Sequence, residues 1–97
     1  MRYDAEVTRD AMGSVLAERM AQNDKWGEQS HSPIEWMAIL TEEVGEAAKE
    51  ALEFHWNGKH YFRDREEVLM RYRAELVQVA AVAVAALESL SRNELST

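Results

Sequence analysis

The segment from Leu76 to Leu87 constrains the fold more than any other part of the chain. Alanine, valine and leucine occupy nearly all of its positions, so a helix formed here is apolar on almost every side. Such a helix is stable only when most of its sides are buried. The chain has 97 residues, enough for one domain with a small core. We therefore expect an all-α protein in which a second copy helps to cover this segment.

Hydrophobic periodicity and turn signals divide the chain into three predicted helices, at residues 4–23, about 33–55 and about 64–90. Only one proline and four glycines interrupt the sequence, which agrees with few turns. We expect a single domain over residues 1–97, with its core over about 4–90. The apolar positions of the first helix are Val7, Met12, Val15, Leu16 and Met20.

Capping signals set where the later helices begin. Ser32 can cap the second helix, with Pro33 at its first position and Glu35 completing a capping box. Asp64 and Glu67 repeat this spacing before the third helix. The predicted connections are a polar loop over residues 24–32 and a turn over 56–60. A short turn makes the second and third helices an antiparallel hairpin, to which the first helix is added.

Acidic side chains recur three residues apart on both helices of the predicted hairpin. Glu43 and Glu46 share one helical face, and Glu75 and Gln78 repeat the spacing. With the turn centred near residue 60, Glu46 faces Glu75 and Glu43 faces Gln78. Three carboxylates and one amide oxygen then converge. Oxygen ligands without sulfur or imidazole suit Mg²⁺ or Mn²⁺.

A solvated acidic surface is the competing explanation, and most acidic stripes on helices are of that kind. Two features favour the metal site. Glu75 and Gln78 interrupt an otherwise apolar helix, where exposure to solvent is not expected. Glu43 and Glu46 also have no basic residue one turn away except Lys49, which can partly neutralise Glu46.

The pattern Glu42-Glu43-x-x-Glu46, followed after a gap by Glu75-x-x-Gln78, resembles a known family. It is similar to the MazG-type all-α nucleoside triphosphate pyrophosphohydrolases, relatives of the dimeric dUTPases and the dCTP pyrophosphatase. The resemblance implies an oligomeric helical bundle that hydrolyses a (deoxy)nucleoside triphosphate to monophosphate and pyrophosphate with Mg²⁺. Glu43, Glu46 and Glu75 would be metal ligands, and Glu42 would belong to the catalytic cluster. Gln78 stands where the family usually has Asp, which removes one negative charge.

Two upstream segments strengthen the resemblance. His31-Ser32-Pro33 precedes the first acidic motif much as a similar segment does in the dCTP pyrophosphatase-like members, and Lys25–Gln29 resembles a segment of small members. The resemblance extends over roughly residues 18–90.

Four further side chains are candidates for contact with substrate. Trp26 can stack on a nucleobase, or it can pack between helices or subunits. His31 can bond a base or sugar, or cap the second helix. Lys25 can contact phosphate, although most surface lysines have no specific partner. Arg71 can contact phosphate or form an ion pair with Glu50, and the ion pair is the preferred interpretation.

Composition limits the partners. The formal net charge of −7 disfavours binding to nucleic acid, and the absence of cysteine excludes disulfides and thiolate metal sites. The N-terminal residues do not form the apolar segment of a signal peptide, and the run Val79–Leu87 is too short to span a bilayer. We expect a cytoplasmic homodimer or homotetramer. The alternative function is that of a non-catalytic acidic helical protein, either a degenerate relative or a protein-binding regulator.

Overall fold

A computed structural model describes residues 2–57 and 65–95 of the chain. All regular structure in those ranges is helical: α1 spans Ala5–Trp26, α2 spans Pro33–Asn57 and α3 spans Arg65–Asn93. The predicted all-α class is therefore confirmed. The predicted start of the third helix at Asp64 lies outside the described residues, as does most of the predicted turn.

α3 is the central helix of the described chain. Both α1 and α2 pack against it, and these two do not pack on each other. Near the start of α2, Trp36 joins Val82 and Ala85 in a cluster of buried apolar residues. Further along α2, Glu50 accepts a hydrogen bond from Arg71, which lies early in α3. Contacts that follow opposite orders along the two helices make α2 and α3 antiparallel.

The N-terminus of α2 contains the predicted capping box. The Glu35 backbone N–H donates to Ser32 Oγ over 3.3 Å, and the Ser32 backbone N–H donates to Glu35 Oε1 over 2.8 Å. The Glu35 carboxylate accepts from the backbone N–H of Ser32 and interacts with the Ser32 hydroxyl. These two hydrogen bonds, in that order of effect, hold the pKa of Glu35 below its ordinary range. Two donors that a helix start leaves unpaired are thereby satisfied.

The end predicted for the first helix is wrong. α1 continues to Trp26, so Lys25 and Trp26 belong to its last turn and not to a loop. The helix stops at Gly27, whose φ of 72° lies in a region that favours glycine. The Gly27 backbone N–H donates to the Asn23 carbonyl over 2.8 Å and closes the final turn. The glycine, and not the polar residues before it, therefore ends the helix.

The packed face of α1 also differs from the predicted apolar face. Gln22 is its buried residue, and Ser14 and Arg19 bind side chains of α3. α3 presents Arg73, Gln78 and Glu88 along this contact, so polar partners on α1 are needed to satisfy them. Most of the predicted apolar positions are consequently exposed: Val7, Met12, Leu16 and Met20.

α3 is long and apolar enough to cross a membrane when judged by length and composition alone. The core helix of a water-soluble protein meets the same criteria. In this chain α1 and α2 both pack on α3, whose buried positions include Ala81, Val82 and Ala85. Leu76 and Leu87 on the same helix are exposed.

Candidate functional site

A cleft of about 220 Å³ is bounded by all three helices. Each helix contributes a polar side chain to its wall: Gln22 comes from α1, Glu43 from α2 and Gln78 from α3. Its lining also contains two indole rings and two guanidinium groups: Trp26, Trp36, Arg19 and Arg92. Three predicted site residues, Glu43, Gln78 and Trp26, therefore lie around one cavity.

Glu43 is the focus of the negative charge at this cleft. Partial burial raises its pKa, and the charges of Glu75, Glu42, Glu46 and Glu18 raise it further, in that order. None of these five carboxylates forms an ion pair with another residue that the structure describes. Acidic groups from three helices thus act on one half-buried carboxyl without a protein cation to balance them.

The predicted metal ligands differ in exposure. Glu43 and Glu75 are half-buried, whereas Glu46, like Glu42, lies exposed on α2. The charges of Glu75, Glu42 and Glu46 all act on Glu43. Across residues 2–57 and 65–95, no three acidic or histidine side chains are placed to hold a metal ion as they stand. The oxygen donors suit a hard divalent cation in their chemistry. They do not form a closed set of ligands.

Two residues at this site were not predicted from the sequence. Glu18 of α1 adds a carboxylate to the group around Glu43, and Gln22, one turn later on the same face, reaches Gln78. Their spacing of four residues was the available signal. Both residues lie outside the predicted apolar positions of the first helix, so hydrophobic periodicity did not indicate them.

Gln78 is held by a hydrogen-bonded series of side chains. Gln22 Nε2 donates to Gln78 Oε1 over 3.2 Å. Arg19 Nη1 donates to Gln22 Oε1 over 3.0 Å, and the same guanidinium binds the Glu88 carboxylate. The amide oxygen that was predicted to bind a metal therefore accepts a hydrogen bond from the protein.

The aromatic residues near the cleft differ in exposure. Trp36 is only 6% exposed and packs edge-on against His31, with 4.8 Å between ring centroids. Its indole N–H has no hydrogen-bond partner among the residues that the structure describes. Trp26 is 55% exposed, and Lys25 Nζ lies 4.8 Å from the centroid of its ring. Trp26 is thus the indole that a ligand can reach.

Two of the predicted substrate-binding residues lie away from this cleft. His31 lines a separate apolar groove, which Trp36 also borders, together with Met37 and Leu40. Arg71 donates to Glu50 and to Glu67, each over 3.2 Å. The ion pair between Arg71 and Glu50 is the arrangement that the sequence favoured.

Comparison with known protein families, with curated proteins and with solved structures finds no match for this chain. The resemblance to the MazG-type family stays a hypothesis based on the two acidic motifs. Any function assigned to the cleft has to be argued from its own residues.

Proposed function

We propose that this chain is a Mg²⁺-dependent nucleotide pyrophosphohydrolase that converts a (deoxy)nucleoside triphosphate to monophosphate and pyrophosphate. The observation that carries the proposal is the grouping of carboxylates from all three helices around Glu43, which lines the cleft and whose pKa they raise. Uncompensated like charges beside a cleft destabilise the folded protein. A bound divalent cation would remove that repulsion. Cation binding therefore explains why the carboxylates are clustered, whereas a solvated acidic surface would not require such clustering.

The cation would be held by Glu43, Glu46 and Glu75. Their carboxylates are the hard oxygen ligands that Mg²⁺ prefers. When bound, Mg²⁺ would neutralise phosphate charge and lower the pKa of a water molecule. Glu46 is exposed, so its side chain is free to turn toward the other two.

The other groups of the site have roles that follow from their positions. Glu42 is exposed and adjacent to the proposed ligands, so it can accept a proton from an attacking water as a general base. Trp26 offers an exposed indole at the edge of the cleft for stacking on a nucleobase. Lys25, beside the same ring, supplies a positive charge for phosphate.

A pyrophosphate-release assay with the standard ribo- and deoxyribonucleoside triphosphates, with Mg²⁺ or Mn²⁺, tests this function. We expect activity on at least one substrate and its loss in Glu75→Gln. Glu66→Gln is a matched control, because Glu66 lies exposed on the same helix and does not contribute to the charge around Glu43. Inactivity toward every substrate with both metals would overturn the proposal.

We also propose that the chain works as a homodimer or homotetramer. A compact monomer of 11.1 kDa exposes about 5,700 Å², whereas this chain exposes 7645 Å². Its radius of gyration is 15.9 Å, compared with about 13 Å for a compact domain of this length. The excess surface is larger than the roughly 800 Å² that each partner contributes to a standard interface. Sedimentation velocity tests this directly, and a monomer at all micromolar concentrations would contradict it.

A second candidate function is that of a non-catalytic acidic helical protein that binds a protein partner. The lack of a closed set of metal ligands among the described residues favours it. Calorimetric titration with Mn²⁺ separates the two candidates. Binding that disappears in Glu43→Gln supports the enzyme, and no binding supports the regulator.

A further inference from the structure

Four side chains form a connected series that begins at Glu88 and ends at the cleft. Glu88 binds Arg19, Arg19 donates to the Gln22 oxygen, and the Gln22 nitrogen donates to the oxygen of Gln78. The series crosses from α3 to α1 and back. Gln22 is only 8% exposed, and buried amide groups are normally hydrogen-bonded, as this one is at both ends.

The chemistry of arginine fixes the direction of every hydrogen bond in this series. A guanidinium group donates and never accepts, so Gln22 must turn its oxygen toward Arg19. The Gln22 nitrogen then faces Gln78, which has to accept through its own oxygen. If the Gln22 amide were rotated by half a turn, its NH₂ group would face the donors of Arg19 and its oxygen would face the Gln78 oxygen. If the Gln78 amide were rotated, two NH₂ groups would face each other. Both arrangements leave polar groups near a buried residue without partners, which is costly.

The consequence is that Gln78 has its amide nitrogen left over. Gln78 Nε2 has no hydrogen-bond partner in residues 2–57 and 65–95, and Gln78 lines the cleft beside Glu43. A primary amide nitrogen is a donor with no acceptor capacity. The Gln78 oxygen already accepts from Gln22, so the group of this residue without a described partner is the nitrogen, which is suited to an acceptor oxygen of a ligand.

We infer that Gln78 is a hydrogen-bond donor to an acceptor oxygen of the ligand in the cleft, and that Arg19 and Gln22 are positioning residues that fix its orientation. The inference rests on the proposed function in taking that ligand to be a triphosphate. It replaces the role of Gln78 as a metal ligand that was expected from the sequence. It also gives a reason for glutamine at this position, because an aspartate has no proton to donate at neutral pH.

Reversing the polarity of the series tests the orientation without any ligand. In Gln22→Glu the new carboxylate can still pair with Arg19, but it has no proton to give to Gln78. The Gln78 amide must then turn over and donate to it. We expect one side-chain amide proton of Gln78 to move downfield in the ¹H–¹⁵N spectrum and to exchange more slowly with water. Gln78→Leu assigns the signal, and helical circular dichroism checks that each variant is folded.

Titration with Mn²⁺ alone tests whether Gln78 is a ligand. Gln78→Leu should change the Mn²⁺ affinity by no more than about twofold. Glu75→Gln should lower it about tenfold or more, because even the loss of a supporting group usually lowers metal affinity by that amount. Gln22→Glu should raise the affinity, because it turns the Gln78 oxygen toward the cleft. That gain should fall when Gln78→Leu is added to Gln22→Glu.

Two results would overturn the inference: a Gln78 amide signal that does not change in Gln22→Glu, or a loss of Mn²⁺ affinity in Gln78→Leu as large as that in Glu75→Gln. Failure of all variants to bind Mn²⁺ would instead contradict the proposed enzyme. The spectrum of Gln22→Glu would still decide the orientation of Gln78 in that case. The two failures are therefore distinguishable.

Discussion

The negative charge of Glu75 on α3 raises the pKa of Glu43 on α2, and only partial burial has a larger effect on that carboxyl. The two residues lie on different helices, so folding itself brings their charges together. No ion pair with a described residue offsets the repulsion. The repulsion therefore lowers the free energy of unfolding, and it does so at the site where we propose that a cation binds.

Glu43→Gln should therefore stabilise the protein without metal at pH 7. A carboxyl with a raised pKa in the folded state holds its proton more tightly there than in the unfolded chain. The free energy of unfolding should fall as pH rises from the unfolded pKa through the raised folded pKa, and this fall should be smaller in the variant. Urea unfolding followed by circular dichroism between pH 4 and about pH 8 measures both effects.

Glu66→Gln is the control for that experiment, because it removes one exposed charge from α3 outside the cluster around Glu43. Its pH profile should follow that of the unmodified protein. Equal stabilisation by the two substitutions would mean that the total net charge of −7, and not the local cluster, is responsible.

Ser32→Ala should destabilise the protein by about 1 kcal/mol, the usual loss for an N-cap side chain. It removes the hydroxyl that accepts from the Glu35 backbone N–H. Chemical denaturation at pH 7 measures the loss. Ser91→Ala is the comparison, since Ser91 is exposed near the end of α3; a loss equal to that of Ser32→Ala would show that the cap contributes nothing specific.

The same cap has an opposite pH dependence to that of Glu43. The pKa of Glu35 is lowered by its hydrogen bonds with Ser32. Its contribution to stability is therefore present above the unfolded pKa and disappears as pH falls through the lowered folded value. Glu35→Gln should flatten the acid limb of the stability curve, and an unchanged acid limb would contradict this origin.

The ion pair between Arg71 and Glu50 should contribute less than about 1 kcal/mol, because exposed pairs are weakened by solvent. Their side chains are 44% and 20% exposed, and Arg71 also binds Glu67. A double-mutant cycle with Arg71→Met and Glu50→Gln measures the coupling. A coupling energy of several kcal/mol would show that the pair is desolvated in the assembled protein.

The features of this fold that were predicted correctly from the sequence are those with local causes. The Ser32–Glu35 box lies within one helical turn, and the pairing of Arg71 with Glu50 follows once a turn is placed between two long helices. The packed face of α1 has no local cause. Gln22 is buried because Arg19 and Gln78 satisfy its amide. Arg19 is three residues away on α1, but Gln78 becomes a partner only after α1 and α3 have met.

The site was predictable to the same extent. Glu43 and Glu75 could be placed together from spacing and antiparallel pairing, and their charges do interact. Glu18 enters the site from α1, and its spacing from Gln22 indicates a shared face but not which helix that face contacts. The direction of the hydrogen bond at Gln78 depends on Arg19, 59 positions away in sequence, and no local pattern indicates it.

The exposed apolar residues of α1 give the last prediction, which concerns assembly. Met12, Leu16 and Met20 recur every four residues and are 59%, 62% and 61% exposed. Residues at that spacing form one stripe along a helix. If this stripe is the interface, Leu16→Glu should shift the protein to monomers in sedimentation velocity and leave the folded monomer intact.

Leu95→Glu separates that effect from a general change in charge. Leu95 is 60% exposed, close to the value for Leu16, but it follows the end of α3 and does not belong to the stripe. Placing a carboxylate in a closely packed apolar interface leaves an unpaired buried charge, whereas placing it at an exposed position beyond α3 does not. Dissociation by Leu16→Glu alone would locate the interface on α1. Dissociation by both variants would point to a general effect of charge, and dissociation by neither would place the interface away from this stripe.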